Sequence, residues 1–339
     1  MEGPRLKSSV RRSRSDRRGP RPRSGADDTF FRAATGTVGA IVLVVTTAIA
    51  FELVRNSRLS IAKFGLRFWS GRIWDPVSGE FGALPFLWGT LYSSVLALLI
   101  AGPISIGIAV YLNELSPGRL RRPLVFLTEL LAAIPSIVYG LWGVFVLVPL
   151  VRKLEVGLPE PLRKLPLFSG PPVGVGMLSA VLILTVMVIP FSSAVAREVL
   201  RAVPAAQREA AYALGATRFE AIRAALFHGR TGIMGAILLG FGRALGETMA
   251  VTMVIGNNPQ ISASLFAPQH TMAAVLANEF TEAADDLYLN ALVEIGLVLF
   301  IVTLIVNALS RLLIWSLERQ RAAPPVVLEP VVAPAGEVA

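Results

Sequence analysis

Residues 86–112 read FLWGTLYSSVLALLIAGPISIGIAVYL, a run without a single Asp, Glu, Lys, Arg or His. As an α-helix this run would be about 40 Å long, more than the ~30 Å of a membrane's hydrocarbon core. Within hydrocarbon, a chain must satisfy its own backbone N–H and C=O groups, and a helix does this residue by residue. Five further apolar stretches of similar length lie near 33–54, 125–150, 173–195, 231–255 and 290–316. The sequence therefore predicts an all-α membrane protein with six transmembrane helices.

Composition agrees. Apolar residues make up 54% of the 339 and charged residues only 16%, and the mean hydropathy is +0.63. A soluble domain carries about 25% charge. The chain has no cysteine, which excludes disulfides and thiolate metal sites. Its two histidines, His228 and His270, lie in different segments, so no histidine-built metal site is expected, and no cofactor.

The net charge of +9 does not mark a nucleic-acid binder, because ten of the 32 Lys and Arg fall in the first 32 residues. Residues 1–28 read as a disordered basic tail, 29–321 as the membrane domain and 322–339 as a disordered Pro, Ala and Val tail. The basic tail adjoins the first helix, which puts both termini on the cytoplasmic side. Ala48-Ile49-Ala50 imitates a signal-peptidase site, but the apolar run is too long for a signal core, and the helix is expected to be retained.

Two connecting segments have patterns of their own. Between spans one and two, Ser60, Lys63, Arg67 and Ser70 share one helical face and Leu59, Ala62, Leu66 and Trp69 another, which predicts an interfacial helix. Residues 196–230 read as two short helices around a sharp turn. Pro204 suits a first turn, Gly215 a left-handed stop, and Thr217 with Glu220 a capping box. That is more structure than a passive connector needs.

Glu209-Ala210-Ala211-x3-Gly215 in this segment resembles the EAA loop of ABC-importer permeases. The family continues with Ile-x-Leu-Pro where this chain has Ala225-Leu226-Phe227-His228, so the exit angle of the second helix is left open. Further stretches are similar to phosphate-specific importer permeases of the PstC type. They are Phe241-Gly242-Arg243-Ala244-Leu245-Gly246-Glu247-Thr248-Met249-Ala250, Ile134-Pro135-Ser136-Ile137-Val138-Tyr139-Gly140, Leu84-Pro85-Phe86 with Gly89-Thr90-Leu91, and Ala277-Asn278-Glu279-Phe280.

The resemblance spans about Leu84 to Trp315 and implies a type I ABC-importer permease in a bacterial inner membrane. It implies that Glu209, Ala210, Ala211 and Gly215 couple to ATPase subunits. The implied partners are a homologous PstA-type permease, two ATP-binding subunits, an extracytoplasmic phosphate-binding protein and the surrounding membrane lipid. No phosphate-binding loop of the Gly-x4-Gly-Lys-Ser/Thr kind occurs, so the chain is not expected to be an enzyme.

Arg243 and Glu247 stand inside the expected fifth span, four residues apart and hence on one helical face. Two readings stay open: an ion pair that merely neutralises the span, or a pathway in which Arg243 helps an anion across and Glu247 positions it. Gly242-x3-Gly246 reads as a close helix-packing face, not a nucleotide loop. Glu129 is expected near the water, and Glu294 has no assigned role. Pro103, Pro135, Pro149 and Pro190 are expected to kink spans.

The rival readings are a permease for molybdate or sulfate, which would lack the Arg and Glu pair, and an ion-coupled secondary transporter, which would have broken midplane helices and no structured loop. A scaffold or receptor would need no intramembrane Arg. Because the first tail has nothing to pack, deleting residues 2–24 should leave phosphate uptake per correctly oriented molecule unchanged. Labelled-phosphate uptake normalised to oriented protein checks this.

Overall fold

The computed structural model describes residues 25–319, with side chains over 29–317; most of the first tail and the whole of the second lie outside these residues. Six helical stretches are long and apolar enough to cross a membrane: 29–56, 84–115, 136–157, 177–202, 218–245 and 286–317. The chain divides into two compact units at Phe51/Glu52.

The first unit is made of α1 (Gly25–Asn56) up to Phe51, which starts inside the stretch expected to be tail. Its Val38, Ile41, Leu43 and Val44 are exposed on all sides. The hydroxyls of Thr35, Thr37, Thr46 and Thr47 bond to carbonyls one turn back, at 2.7–2.9 Å. The helix thereby offers an almost uniformly apolar surface.

The second unit opens with α2 (Arg58–Phe64), α3 (Arg67–Ser70) and a hairpin of β1 (Trp74–Asp75) and β2 (Glu80–Phe81), in the register Trp74↔Phe81 and Asp75↔Glu80. The expected single interfacial helix is broken at Gly65 (φ +54); Lys63, Arg67 and Ser70 are exposed as a polar face requires, but Ser60 is buried and Leu66 is 88% exposed. Ser60 alone turns inward, toward Glu294, which is only 3% exposed.

The bundle follows. Helix α4 (Leu84–Val110) ends in a π-turn at Tyr111–Leu115, and α5 (Gly118–Ala133) stops at Ile134. Span three is α6 (Ser136–Trp142), a π-turn at Gly143–Leu147 and α7 (Val148–Gly157), with the short α8 (Glu160–Arg163) beyond. After α9 (Met177–Ala202) come α10 (Ala205–Ala213), α11 (Arg218–Leu245), α12 (Met249–Thr252), α13 (Met272–Glu279) and α14 (Asp286–Arg319). The expected span 125–150 is therefore two helices, because Ile134 and Pro135 are both extended (ψ 131° and 140°) and proline disfavours helix in the residue before it. Pro103 and Pro190, by contrast, sit inside continuous helices.

Helix α9 is the centre, with Ile183, Leu184, Met187 and Val188 buried. It packs against α4 through Ala97 and Ala101, and against α11 through small residues on both sides. A Cβ on Gly240 would overlap the Ser192 hydroxyl, and one on Gly232 would press on Val199. The close-packed face of α11 is thus Gly232, Ala236 and Gly240. Gly242 and Gly246, expected in that role, meet nothing nearer than 3.9 Å.

At the end of the bundle where α4 begins, the loop 256–271 is held by α4. Trp88 Nε1 donates to the Ser262 carbonyl (3.0 Å), Tyr92 Oη to that of Ala263 (2.8 Å), and Thr90 Oγ1 accepts from Met272 N–H (2.9 Å). The carbonyl of His270 lies where a Cβ on Gly89 would be. Burial pushes the His270 imidazole down to about 4, so it is neutral at physiological pH. These contacts account physically for the Gly89-Thr90 pair.

Gly89→Ala should cost roughly 1–3 kcal/mol by overpacking and lower the thermal midpoint of the purified protein. Gly107→Ala, on an exposed helical site with nothing within 4 Å, should be neutral or stabilising. Thermal unfolding in detergent checks both.

Candidate functional site

Two regions carry the sequence-derived site residues, and they are separate. The first is α10 with its turn. Pro204 stands at the N-cap (φ −55°, ψ 137°), one residue earlier than expected. At the far end Gly215 N–H bonds to the Tyr212 carbonyl (2.9 Å) and Ala216 N–H to that of Ala211 (3.1 Å), a closure that places Gly215 at φ +82. Both halves of the capping box are present: Thr217 N–H to Glu220 Oε2 at 2.7 Å and Glu220 N–H to Thr217 Oγ1 at 3.4 Å. The second helix is not short, since without a proline at 228 it continues straight into span five.

No residue of α10 is buried. Glu209 and Ala210 are exposed, Ala211 is half-buried, and beside them Leu214 is 90% and Phe219 73% exposed. Apolar side chains held out on a rigid turn make a surface shaped for contact. What holds α10 in place was not read from the sequence. Arg208 donates to Glu114 Oε1 through Nε (3.1 Å) and Nη2 (2.6 Å), and to the carbonyls of Val203 and Leu200 (3.1 and 3.0 Å). Glu114 is the first acid after the uncharged run of span two, which was the available signal.

The second region is where the stretches expected as spans three and five, 125–150 and 231–255, are both interrupted. Helix α11 ends at Leu245, so Glu247 is not on its face, and the expected Arg243–Glu247 ion pair does not form. The Glu247 carboxylate instead accepts the Ala250 N–H at the start of α12 (3.3 Å). Arg243 is half-buried, its guanidinium 5.5 Å from the Phe191 ring centre and its Nε without a hydrogen-bond partner. It is within electrostatic reach of Tyr139, whose hydroxyl donates to the Leu131 carbonyl (2.7 Å) and so spans the Ile134–Pro135 break.

Gly140 packs against Met249, Ala250 and Met253, with no room for a Cβ. The two sequence stretches 134–140 and 241–250 therefore meet in space at Arg243. Phe191 and Tyr139 were not singled out as neighbours of that charge, because aromatic residues inside apolar spans carry no periodic signal. Elsewhere, Glu129 on α5 is half-exposed and paired with Arg197 (2.9 Å), while Glu294, inside span six, keeps one carboxylate oxygen without a hydrogen-bond partner among the described residues. The structured loop that an ion-coupled carrier would lack is present.

The chain belongs to the family described as binding-protein-dependent transport system inner membrane component, which matches residues 102–320. Among named relatives, it is 43% identical to the phosphate transport system permease protein PstC of Mesorhizobium japonicum, over 91% of this chain and 97% of that protein. It is 45% identical to the protein of that name from Haemophilus influenzae, over 87% and 95%. A probable PstC of Methanocaldococcus jannaschii is 38% identical, over 78% and 86%. A chain from inward-facing crystal structures of the MetNI methionine ABC transporter aligns with a TM-score of 0.54 at 17% identity, covering 72% of this chain and 99% of that one. That likeness carries the fold alone, all-α and of the ABC-importer permease kind. The protein is a multi-pass membrane protein, as the family and its six apolar helices require.

Replacing Gly215 with Val should cost about 1–2 kcal/mol, through the left-handed backbone alone, because no atom lies within 4 Å of its Cβ position. Hydrogen exchange should rise over 205–217 and stay unchanged across α9.

Proposed function

We propose that this chain is the membrane permease subunit of an ATP-driven phosphate importer. In this reading, its domain is residues 29–321, and both termini and the α10 end face the cytoplasm. The relatives' names supply the substrate. The observation that carries the site is Arg243, a half-buried cation with no acidic partner among the described residues, beside the backbone breaks at Ile134–Pro135 and Gly246–Thr248. A buried guanidinium without a counter-ion is costly in a membrane, and such residues face a bundle interior or a water-filled path. Its planar fork fits phosphate oxygens in two places at once.

Irregular backbone at membrane depth is tolerated where it lines a cavity. The interruptions at Ile134–Pro135 and Gly246–Thr248 fit that requirement beside Arg243. Glu247, folded onto α12, shapes the path wall in this reading and does not neutralise the arginine. Glu209, Ala210, Ala211 and Gly215 form the face that docks on an ATPase subunit, and the exposed Leu214 and Phe219 supply apolar contact. A second, homologous permease completes the pathway, two ATP-binding subunits power it, and an extracytoplasmic binding protein delivers phosphate. The chain itself hydrolyses nothing.

With ATP bound, the ATPase pair closes and α10 moves with it, which turns the bundle from inward- to outward-facing. Phosphate then leaves the binding protein for the path past Arg243. An importer of molybdate or sulfate would use the same mechanics, and uptake competition among the three anions separates the substrates.

Arg243→Gln should leave complex assembly intact and lower labelled-phosphate uptake about tenfold to a hundredfold, the equivalent of ~1.5–3 kcal/mol for a charged hydrogen bond. Exchanging the two residues (Arg243→Glu with Glu247→Arg) should fail equally. Near-normal uptake by Arg243→Gln, per assembled complex, would make Arg243 a structural residue.

A further inference from the structure

Helix α10 buries none of its residues, so it has little packing of its own through which to pass a force. It meets α11 at the turn, and among the described residues its side-chain hydrogen bonds to the bundle all come from Arg208. The guanidinium of Arg208 reaches two spans together. It takes the Glu114 carboxylate at the end of α4, and it takes the Leu200 and Val203 carbonyls where α9 terminates. A helix leaves its last carbonyls without partners and bears partial negative charge there, so a cation is well placed.

Glu114 is braced in its turn. Asn113 Nδ2 donates to Glu114 Oε1 (2.7 Å), Arg121 Nη2 donates to Asn113 Oδ1 (3.0 Å), and Arg218, at the start of α11, donates to the Glu114 carbonyl. Glu114 lies in the π-turn at Tyr111–Leu115, closed by Ser116 N–H on the Tyr111 carbonyl at 2.7 Å. Such a widened turn re-aims the side chains that follow it. Both members of the ion pair are largely shielded, with side-chain exposures of 21% and 14%.

We infer that the Arg208–Glu114 ion pair is the strut that carries the motion of α10 into spans two and four. Arg208 and Glu114 are then positioning residues for coupling, in contact with neither phosphate nor ATP. The inference rests on α10 being the ATPase-docking helix. Cutting the strut leaves α10 docked on the ATPase but free to swing on its backbone ends, so hydrolysis continues while less of it moves the bundle.

The test uses the complete complex of both permeases, the ATPase and the binding protein in proteoliposomes, with ATP hydrolysed per phosphate imported as the readout. Arg208→Gln and Glu114→Gln should each raise that ratio several-fold while the ATPase still co-purifies. The double variant should match the singles, since both cut one link. Arg208→Lys, which keeps the charge without the fork, should fall between.

An unchanged ratio in the single variants would overturn the strut. So would effects that simply add in the double variant, or loss of the subunit from the complex in every variant including Arg208→Lys, which would make Arg208 a folding residue. A wild-type complex that imports another oxyanion instead of phosphate would strike the proposed substrate. The strut would still be tested, as ATP per molecule of that anion.

Discussion

A backbone amide or carbonyl without a partner costs several kcal/mol in hydrocarbon, and this requirement orders the whole molecule. Where the chain is helical, the requirement is met automatically. Where the helices stop, a particular side chain meets it. Tyr139 takes the Leu131 carbonyl at the Ile134–Pro135 break, and Arg208 takes the Leu200 and Val203 carbonyls below α9. Beyond α11, Glu247 takes the Ala250 N–H and the Thr248 hydroxyl donates to the Gly246 carbonyl (3.3 Å). The residues around the interruptions are therefore first of all the terms on which the bundle can be interrupted, and the pathway we propose is built from those interruptions.

The same requirement explains what was legible in the sequence. Six apolar runs are visible because helix in a membrane needs length and apolarity, both local properties. The α10 turn is visible because glycine at a left-handed stop and Thr217 with Glu220 are local chemistry too. The stop of α11 at Leu245 is not visible: residues 246–255 are as apolar as what precedes them, and only the packing of α12 against Gly140 decides that the helix ends there. That boundary is what made an ion pair one of the two open readings of Arg243 and Glu247, since a four-residue spacing brings two charges together only if the helix continues between them.

The burial of Ser60 on α2 has a similar origin. Ser60 was placed with the polar residues because its neighbours at helical spacing are polar, whereas Glu294, 234 residues away along the chain, supplies the buried polar surface that receives it. The Arg208–Glu114 pair was missed for the same reason, being a contact between elements 94 residues apart. Residue types were read correctly, while the partners that give them a role were out of sequence range.

The joint between α4 and the loop 256–271 is read almost wholly through the loop's main chain. Trp88 and Tyr92 bond carbonyl oxygens, Thr90 bonds an amide, and Gly89 admits another carbonyl. A main-chain atom is the same whatever side chain it carries. The helix side of this joint is consequently intolerant of change, while the exposed Ala263, held through its carbonyl, can be replaced without loosening it. Loop side chains facing away from the joint are then available to be remodelled by selection, with the anchorage of the loop already secured by four positions elsewhere.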